Sequence, residues 1–254
     1  MKNSFFLFFF IFTIFSLVPA TAQQVAKIIT MADGRQIGFL EARPADYGKK
    51  KHPLIIFLHG IGERGNGTSE IMKVASQGLP KLLKNGPLEC KGETFIVLSP
   101  QLSKGYGAWE VFYIDEMLRY AKTLQVDTNR IYLTGISIGG GAVWGYCSIS
   151  EGHAKQFAAI APLCAACYYD YQKLAVLARA GTPVWAFVGA ADKTVSPTCT
   201  IQAVDAINAA NSNRPAKKTV YKDLGHNVWD RAYDPGNRFH KPNLYEWLLQ
   251  QKRK

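Results

Sequence analysis

Residues 130–143 read RIYLTGISIGGGAV, and this stretch decides how the chain folds. Its opening run, 130–134, is mostly apolar and rich in β-branched and aromatic side chains, a composition typical of a strand. Small residues from Gly139 onward begin a helix. Ser137 lies between the two in the pattern Gly-x-Ser-x-Gly. The sequence therefore predicts a strand, a sharp turn and a helix, with the serine at the turn.

Short apolar strands and amphipathic helices alternate along the rest of the chain. Strands are expected at 26–31, 36–42, 53–58, 95–98, 130–134, 157–163, 183–188 and 218–224, and helices at 69–83, 111–124, 139–148, 171–180, 198–210 and 243–251. Ala32-Asp33-Gly34 separates the first two strands and is a hairpin turn signal. This alternation predicts an α/β fold, with a mostly parallel central sheet that helices cover on both faces.

The serine needs a base, because a hydroxyl is a poor nucleophile until its proton is removed. In this strand–turn–helix arrangement the chain order is nucleophile, acid, base. Among the histidines that follow Ser137, His226 lies just after the last predicted strand, on a loop at the same end of the sheet as the turn. We assign the base to His226. His240, beside the start of the final helix, is the alternative.

The acid of the site is expected between Ser137 and His226. Asp192 follows the predicted strand 183–188 and a short turn, and a strand-end loop is where a carboxylate can hold the imidazole in its productive tautomer. Asp170, after the preceding strand, is the alternative for this role. A plain helix-capping role is a further alternative for Asp192.

Two backbone N–H groups are expected to bind the negative charge that develops on a substrate carbonyl. One belongs to Ile138, which follows the serine, and the other to Ile61, in the Gly-rich loop after the third predicted strand. His59 precedes the serine and is interpreted as a buried structural histidine. Trp229 follows the base closely and is a candidate substrate-binding residue, although scattered tryptophans more often belong to the core.

The segment before the predicted strands is interpreted as a targeting signal. Lys2 precedes an apolar run from Phe5 to Val18, and Ala20-Thr21-Ala22 has the small-x-small form that signal peptidase reads. The apolar run is shorter than the ~20 residues of a membrane-spanning helix, which disfavours a membrane anchor. We expect residues 1–22 to be removed, and the product to be secreted or periplasmic with no stable membrane association.

The chain carries a formal net charge of +11, yet no long Lys/Arg stretch interleaved with aromatic residues suggests a nucleic-acid partner. Its densest basic cluster is Lys252-Arg253-Lys254, which a solvated tail explains. The charge would favour acidic substrates without requiring them.

Export would permit the chain to form disulfides. The five cysteines are Cys90, Cys147, Cys164, Cys167 and Cys199, so at least one thiol has no partner within the chain. A single C-x-x-C at 164–167 argues against a zinc site. Cys164 ends one predicted strand and Cys199 follows the Asp192 loop, so we expect a disulfide between these two.

The pieces together resemble one superfamily. HGIGERG at 59–65, GISIGGG at 135–141, GAAD at 189–192 and GHNVW at 225–229 resemble motifs of the α/β-hydrolases. More narrowly, they are similar to a secreted predicted esterase/peptidase branch allied to feruloyl and acetylxylan esterases, polyhydroxybutyrate depolymerases and dienelactone hydrolases. The resemblance implies an α/β-hydrolase catalytic domain over residues 23–254, without a large lid.

The same resemblance implies hydrolysis of carboxylic esters through an acyl-enzyme, carried by Ser137, His226 and Asp192 with no cofactor or metal. We expect a small-molecule or glycan ester as substrate, with short or aromatic acyl groups on carbohydrates, because burying a long acyl chain needs an apolar cover. One alternative is a serine peptidase that uses the same three residues. Another is a non-catalytic secreted binding protein that has kept the fold.

Overall fold

The computed structural model describes residues 24–167, 169–210 and 213–253. The expected targeting signal, residues 1–22, lies outside this range, so signal cleavage and secretion stay predictions. Within the described ranges, no helix is both long and apolar enough to cross a membrane.

Eight strands form one sheet in the order β1-β2-β6-β3-β7-β8-β9-β10. They are β1 Val25–Thr30, β2 Gln36–Ala42, β3 His52–Leu58, β6 Ile96–Pro100, β7 Val126–Ile136, β8 Ala159–Leu163, β9 Trp185–Gly189 and β10 Lys217–Tyr221. β1 pairs antiparallel with β2, and β2 with β6, whereas the pairs from β6 across to β10 are parallel. The mostly parallel sheet predicted from the sequence is confirmed.

Helices connect the parallel strands and cover the sheet. The α-helices are α1 Gly78–Leu82, α2 Val111–Ala121, α3 Ile138–Cys147, α4 Glu151–Ala154, α5 Ala175–Ala180, α6 Pro197–Ala209, α7 Trp229–Ala232 and α8 Leu244–Leu249. Short 3-10 turns occupy Ile61–Glu63, Ile71–Ser76, Leu83–Asn85 and Tyr171–Leu174, and a two-stranded hairpin joins β4 Glu89–Cys90 to β5 Glu93–Thr94.

The central strand β3 shows why the sheet needs cover on both faces. Its side chains are all buried. Leu54, Ile56 and Leu58 pack into one hydrophobic cluster, whereas Ile55 and Phe57 pack into another. Because successive side chains of a strand point to opposite faces, this continuous apolar run produces two cores, one on each side of the sheet.

The predicted helix at 69–83 is broken into short pieces. Gly78 has a positive φ of 62°, and a Cβ there would lie 2.7 Å from the ring of Phe57. The chain therefore changes direction at Gly78 to fit against β3, so the 3-10 turn Ile71–Ser76 does not continue into α1.

The β4–β5 hairpin and the four-residue helices α4 and α7 were not predicted, because elements this short leave no periodic signal.

The expected disulfide between Cys164 and Cys199 is wrong. Cys199 is bonded to Cys167, with the two Cα atoms 5.4 Å apart. Cys164 is fully buried among the core side chains on the other face of the sheet from α6, beside Tyr233. Cys90, Cys147 and Cys164 carry free thiols, in agreement with the expectation of at least one.

Candidate active site

Ser137 lies at the turn between β7 and α3, with a φ of 56° and a ψ of −118°. Positive φ is rare for a residue with a side chain and persists only where surrounding contacts enforce it. The Ser137 N–H donates to Leu163 O at 3.1 Å, and its carbonyl accepts from the N–H groups of Ala166 and Gly141, each at 3.0 Å. These three bonds hold the strained turn.

The glycines on either side of Ser137 are required by close backbone contacts. A Cβ at Gly139 would clash with the carbonyl oxygen of Leu58, at the end of β3. A Cβ at Gly135 would lie 2.6 Å from the Gly139 carbonyl. The pattern Gly-x-Ser-x-Gly thus lets the turn press against the neighbouring strand.

The structure brings Ser137, His226 and Asp192 together, although 89 and 34 residues separate the bonded pairs along the chain. Ser137 Oγ lies 3.0 Å from His226 Nε2, and His226 Nδ1 lies 2.7 Å from Asp192 Oδ2. The carboxylate accepts the Nδ1 proton, so Nε2 is free to accept the proton of the serine hydroxyl. The His226 side chain remains 19 % exposed, so solvent and substrate can reach it.

Asp192 has both of its carboxylate oxygens engaged. While Oδ2 faces the imidazole, Oδ1 accepts from the N–H groups of Thr194 and Val195, each at 2.9 Å. The side chain is fully buried. One carboxylate therefore shapes its own loop and orients the histidine.

The alternatives for base and acid lie elsewhere. His240 is hydrogen-bonded to the Tyr221 hydroxyl at 2.6 Å and packs against Trp185. Burial, with smaller contributions from nearby cations, lowers the pKa of His240. Asp170 caps the 3-10 turn Tyr171–Leu174, accepting from Gln172 N at 2.9 Å. Within the described residues, neither His240 nor Asp170 is hydrogen-bonded to Ser137 or His226.

The N–H groups of Ile61 and Ile138 are the two expected to bind an oxyanion. Ile138 is the first residue of α3 and Ile61 the first of a 3-10 turn, positions whose N–H groups lack an acceptor within the helix. Among the described residues, neither N–H has a backbone acceptor outside its own helix. A Cβ built on Gly60 would lie 3.6 Å from the Ser137 Cβ, so the loop after β3 passes alongside the serine.

His59 fixes the start of that loop from inside. It is fully buried, its Nε2 accepts from Leu102 N at 2.9 Å, and its Nδ1 lies 2.5 Å from Gly60 O. Nδ1 must carry the proton, because Nε2 faces an N–H donor. Burial lowers the pKa of His59 to about 4. His59 is therefore a neutral structural histidine, as the sequence predicted.

Three further side chains hold the loop, and the sequence reasoning missed them. Buried Gln101 accepts from Gly67 N at 2.8 Å and donates to the carbonyls of Glu63 and Glu70, at 3.0 and 2.8 Å.

Arg64 donates to the carbonyls of Ile61 and Tyr106, at 3.1 and 2.8 Å. Trp109 donates to His59 O at 3.1 Å. A signal existed for Gln101, which directly follows β6 at the sheet edge where the site lies.

Glu63 lies in the same loop and is 8 % exposed. Its burial raises the pKa of the carboxyl, opposed by backbone hydrogen bonds and by a hydrogen bond from the Ser76 hydroxyl. The loop beside Ser137 thus contains a buried acid as well as a buried histidine, with His59 Nδ1 and Glu63 Oε2 4.0 Å apart.

Trp229 lies on the other side of the site. Its ring meets that of His226 edge to face, with centroids 5.6 Å apart, and its Nε1 donates to Gln77 Oε1 at 3.2 Å. The side chain is half-buried and packs partly against the core. Trp229 therefore combines a core contact with an edge beside the imidazole. Over residues 24–167, 169–210 and 213–253, no cluster of three His, Cys, Asp or Glu side chains could hold a metal ion.

Solved structures share this architecture. A thermostable esterase is 23 % identical, with a TM-score of 0.64 over 91 % of this chain and 63 % of that one. A ferulic acid esterase is 18 % identical, with a TM-score of 0.58 over 82 % of this chain and 92 % of its own. Dipeptidyl peptidase 4 from Porphyromonas gingivalis is 17 % identical, with a TM-score of 0.61 over 91 % and 36 %.

This chain thus spans less than two thirds of the thermostable esterase and about a third of the peptidase. No protein-family model and no curated protein matches the sequence. At these identities the likeness concerns the fold, and the predicted α/β-hydrolase fold is confirmed.

Proposed function

We propose that this α/β-hydrolase-fold chain is a serine hydrolase that cleaves carboxylic esters through an acyl-enzyme. The observation that carries the proposal is the continuous chain of contacts from Ser137 Oγ through His226 to Asp192, at 3.0 and 2.7 Å. The N–H groups of Ile61 and Ile138, which have no backbone acceptor outside their own helices in the described part of the chain, support it. A nucleophile, a base, an orienting acid and two oxyanion donors are the groups that acyl transfer requires.

The reaction follows from these positions. Ser137 Oγ attacks the substrate carbonyl carbon while its proton passes to His226 Nε2, and Asp192 stabilises the resulting imidazolium. The N–H groups of Ile61 and Ile138 bind the oxyanion. The intermediate then expels the alcohol, which takes the proton from His226. Water attacks the acyl-enzyme with His226 again as the base, releasing the acid and restoring the serine.

For the substrate we propose short or aromatic acyl groups on carbohydrates, as a small molecule or a glycan ester. Three features support this choice: the partly exposed side chain of His226, the aromatic ring of Trp229 in contact with it, and the basic net charge of +11. One of the similar structures is named a ferulic acid esterase. We further propose that residues 1–22 direct the chain to the periplasm or the exterior, where acylated glycans occur outside the cell.

A serine peptidase is the second candidate, favoured by the similar fold of dipeptidyl peptidase 4 from Porphyromonas gingivalis. The same three residues could cleave an amide, whose leaving group is poorer than that of an ester. A binding protein without catalysis is disfavoured, because it would have no need to keep the Ser137–His226–Asp192 contacts.

The test is hydrolysis of p-nitrophenyl esters of graded acyl length, of an acetylated and a feruloylated sugar, and of peptide p-nitroanilides. We expect ester turnover that falls from acetate or butyrate to palmitate, with amide turnover much slower. A fluorophosphonate probe should label Ser137, and Ser137→Ala should abolish both labelling and turnover. Faster cleavage of the anilides would favour the peptidase, and retained activity in Ser137→Ala would overturn the proposal.

A further inference from the structure

A cleft of about 200 Å³ opens between the start of α2 and the outer face of α3, next to the nucleophile turn. Its main lining residues are Trp109, Val111, Ile138, Ala142, Tyr146 and Ile149. Two of these, Val111 and Ile149, are 42 % and 46 % exposed, although both are large and apolar. The cleft is therefore an apolar recess whose rim is open to solvent, a form typical of a small-molecule subsite.

The cleft is connected to the reacting atoms through Ile138. The N–H of Ile138 is a proposed oxyanion donor, and the same residue is part of the lining of the recess. Trp109 lines it as well and donates to His59 O, in the loop that carries Ile61. A group seated in the cleft is thus within a short linker of a carbonyl bound at Ser137.

The position of His226 indicates which half of an ester enters the cleft. The leaving oxygen must receive the proton from His226 Nε2, so the alcohol lies on the side of His226 and Trp229. The lining of the cleft includes neither of these residues, nor any part of the Asp192 loop. The group that extends past Ile138 is then the acyl group.

The lining also limits the chemistry of that group. The hydroxyl of Tyr146 is engaged away from the cleft, donating to Asp115 at 2.6 Å and accepting from Gln156 at 2.8 Å. Trp109 and Tyr146 therefore offer mainly apolar ring surface, which favours a flat aromatic partner. Among the described residues that line the cleft, Glu110 alone is charged, and its exposed carboxylate disfavours an anionic ligand.

We infer that this cleft is the acyl subsite and takes one uncharged aromatic ring on a short linker. The inference rests on the proposed function for its assignment to the acyl half. A space of about 200 Å³ holds a single ring, whereas a long alkyl chain would extend into solvent.

The test compares two p-nitrophenyl esters that share a leaving group, the acetate and the 3-phenylpropanoate. Ala142 lies one helical turn after Ile138 and lines the cleft, so a larger side chain in Ala142→Leu should reduce the space for a ligand. We expect this variant to lower the ratio of kcat/KM, phenylpropanoate over acetate, by about tenfold. The matched control is Ala209→Leu on the exposed end of α6, which should leave the ratio unchanged.

A second variant guards against misfolding of the first. Val111→Ser with Ile149→Ser removes exposed apolar surface at the rim, so the fold should be unaffected. We expect it to lower the same ratio about threefold, with an unchanged melting temperature. An unchanged ratio in both the Leu and the Ser variants would overturn the inference while leaving the proposed hydrolase intact.

A binding measurement separates this inference from the proposed function. Calorimetry should detect binding of 3-phenylpropanamide, an uncharged analogue of the acyl group, to the Ser137→Ala protein, and Ala142→Leu added to it should weaken binding about tenfold or more. Ester turnover without such binding would overturn the ring subsite alone. A third outcome is that Ala142→Leu weakens binding although the wild type hydrolyses no ester. That result would support the ring site, but it would overturn both its assignment to the acyl group and the proposed function.

Discussion

Trp109 and His59 are joined twice, although they belong to different loops. The indole Nε1 donates to His59 O at 3.1 Å, and the two rings meet edge to face with centroids 4.9 Å apart. His59 directly precedes Gly60 and Ile61, so these contacts fix the point from which the loop beside Ser137 departs. A preorganised loop matters because its N–H groups must already face the oxyanion when the charge develops.

Trp109→Phe keeps most of the ring packing and removes the hydrogen bond to His59 O. One such bond is worth about 1 kcal/mol, so we expect kcat to fall about fivefold to tenfold. The loss should already appear with the acetate ester, because it acts through the loop and does not depend on the cleft that Trp109 also lines. Trp247→Phe is the control, since Trp247 packs against Trp185 away from the site. Equal rates for the two variants would contradict a positioning role for Trp109.

His226→Ala and Asp192→Asn should separate the roles of base and acid. We expect the first to lower kcat by about 10⁴-fold or more, because no other base contacts Ser137 Oγ among the described residues. Asp192→Asn should cost less, since the imidazole still adopts its productive orientation part of the time. Steady-state kinetics with p-nitrophenyl acetate provides the measurement.

His240→Asn and Asp170→Asn are the matched controls for that experiment. Both sites lie away from Ser137, so kcat should stay within about twofold of the wild type even if His240→Asn lowers the melting temperature through its lost bond to Tyr221. A larger rate loss in Asp170→Asn than in Asp192→Asn would reverse the assignment of the acid.

The sequence predicted those parts of the molecule whose structure depends on a local residue pattern or on the order of strands in the sheet. Two glycines and a serine between a predicted strand and a predicted helix indicate the turn at Ser137. Asp192 and His226 follow strands whose carboxyl ends meet at one edge of a parallel sheet, so their convergence follows from the fold class. Each of these residues could be found without knowing any side-chain contact.

The parts that the sequence did not predict depend on contacts between distant segments. Gln101 forms hydrogen bonds with three backbone groups of the loop 63–70, and residue spacing in the sequence does not predict these bonds. Cys167 and Cys164 are three residues apart, and only the packing decides which of them meets Cys199. Likewise, the break at Gly78 arises because the ring of Phe57 occupies the space of a side chain.

Gln101→Leu tests how far the loop depends on its buried amide. The substitution leaves the Gly67 N–H and the carbonyls of Glu63 and Glu70 without their partner. Unpaired buried polar groups cost about 1–3 kcal/mol each, so with three of them unpaired we expect the free energy of unfolding to fall by at least about 3 kcal/mol, with a lower kcat. Urea unfolding measures the first quantity. Gln202→Leu, on the exposed face of α6, should change neither, and a Gln101→Leu protein as stable and active as this control would contradict the prediction.

The bond between Cys167 and Cys199 closes a loop across the Asp192 turn. Its sequence separation is 32 residues. A cross-link of this length typically stabilises a protein by about 2–4 kcal/mol, so Cys167→Ser should lower the free energy of unfolding by that amount under oxidising conditions. Adding a reductant to the wild type should produce a similar loss.

Peptide mapping identifies the pairing directly. In non-reduced digests of Cys164→Ala, we expect the peptides of Cys167 and Cys199 to remain linked. Loss of that linked species in Cys164→Ala, with its retention in Cys167→Ser, would instead place the bond at Cys164.

The buried His59 predicts a loss of stability in mild acid. Its pKa is about 4 in the folded protein, against about 6.5 in the unfolded chain. Between these values the unfolded state binds the extra proton, so stability falls as the pH drops below 6.5 and the loss is complete near pH 4. We expect the free energy of unfolding to be about 2 kcal/mol lower at pH 5 than at pH 7 through this residue.

The raised pKa of Glu63 acts in the opposite direction, because the folded protein holds that proton more tightly. His59→Gln therefore provides the comparison, since it keeps Glu63 and can still accept from Leu102 N. Urea unfolding of both proteins at pH 5 and pH 7 should show a smaller pH effect in the variant, and an equal pH effect in the two would show that His59 titrates normally in the fold.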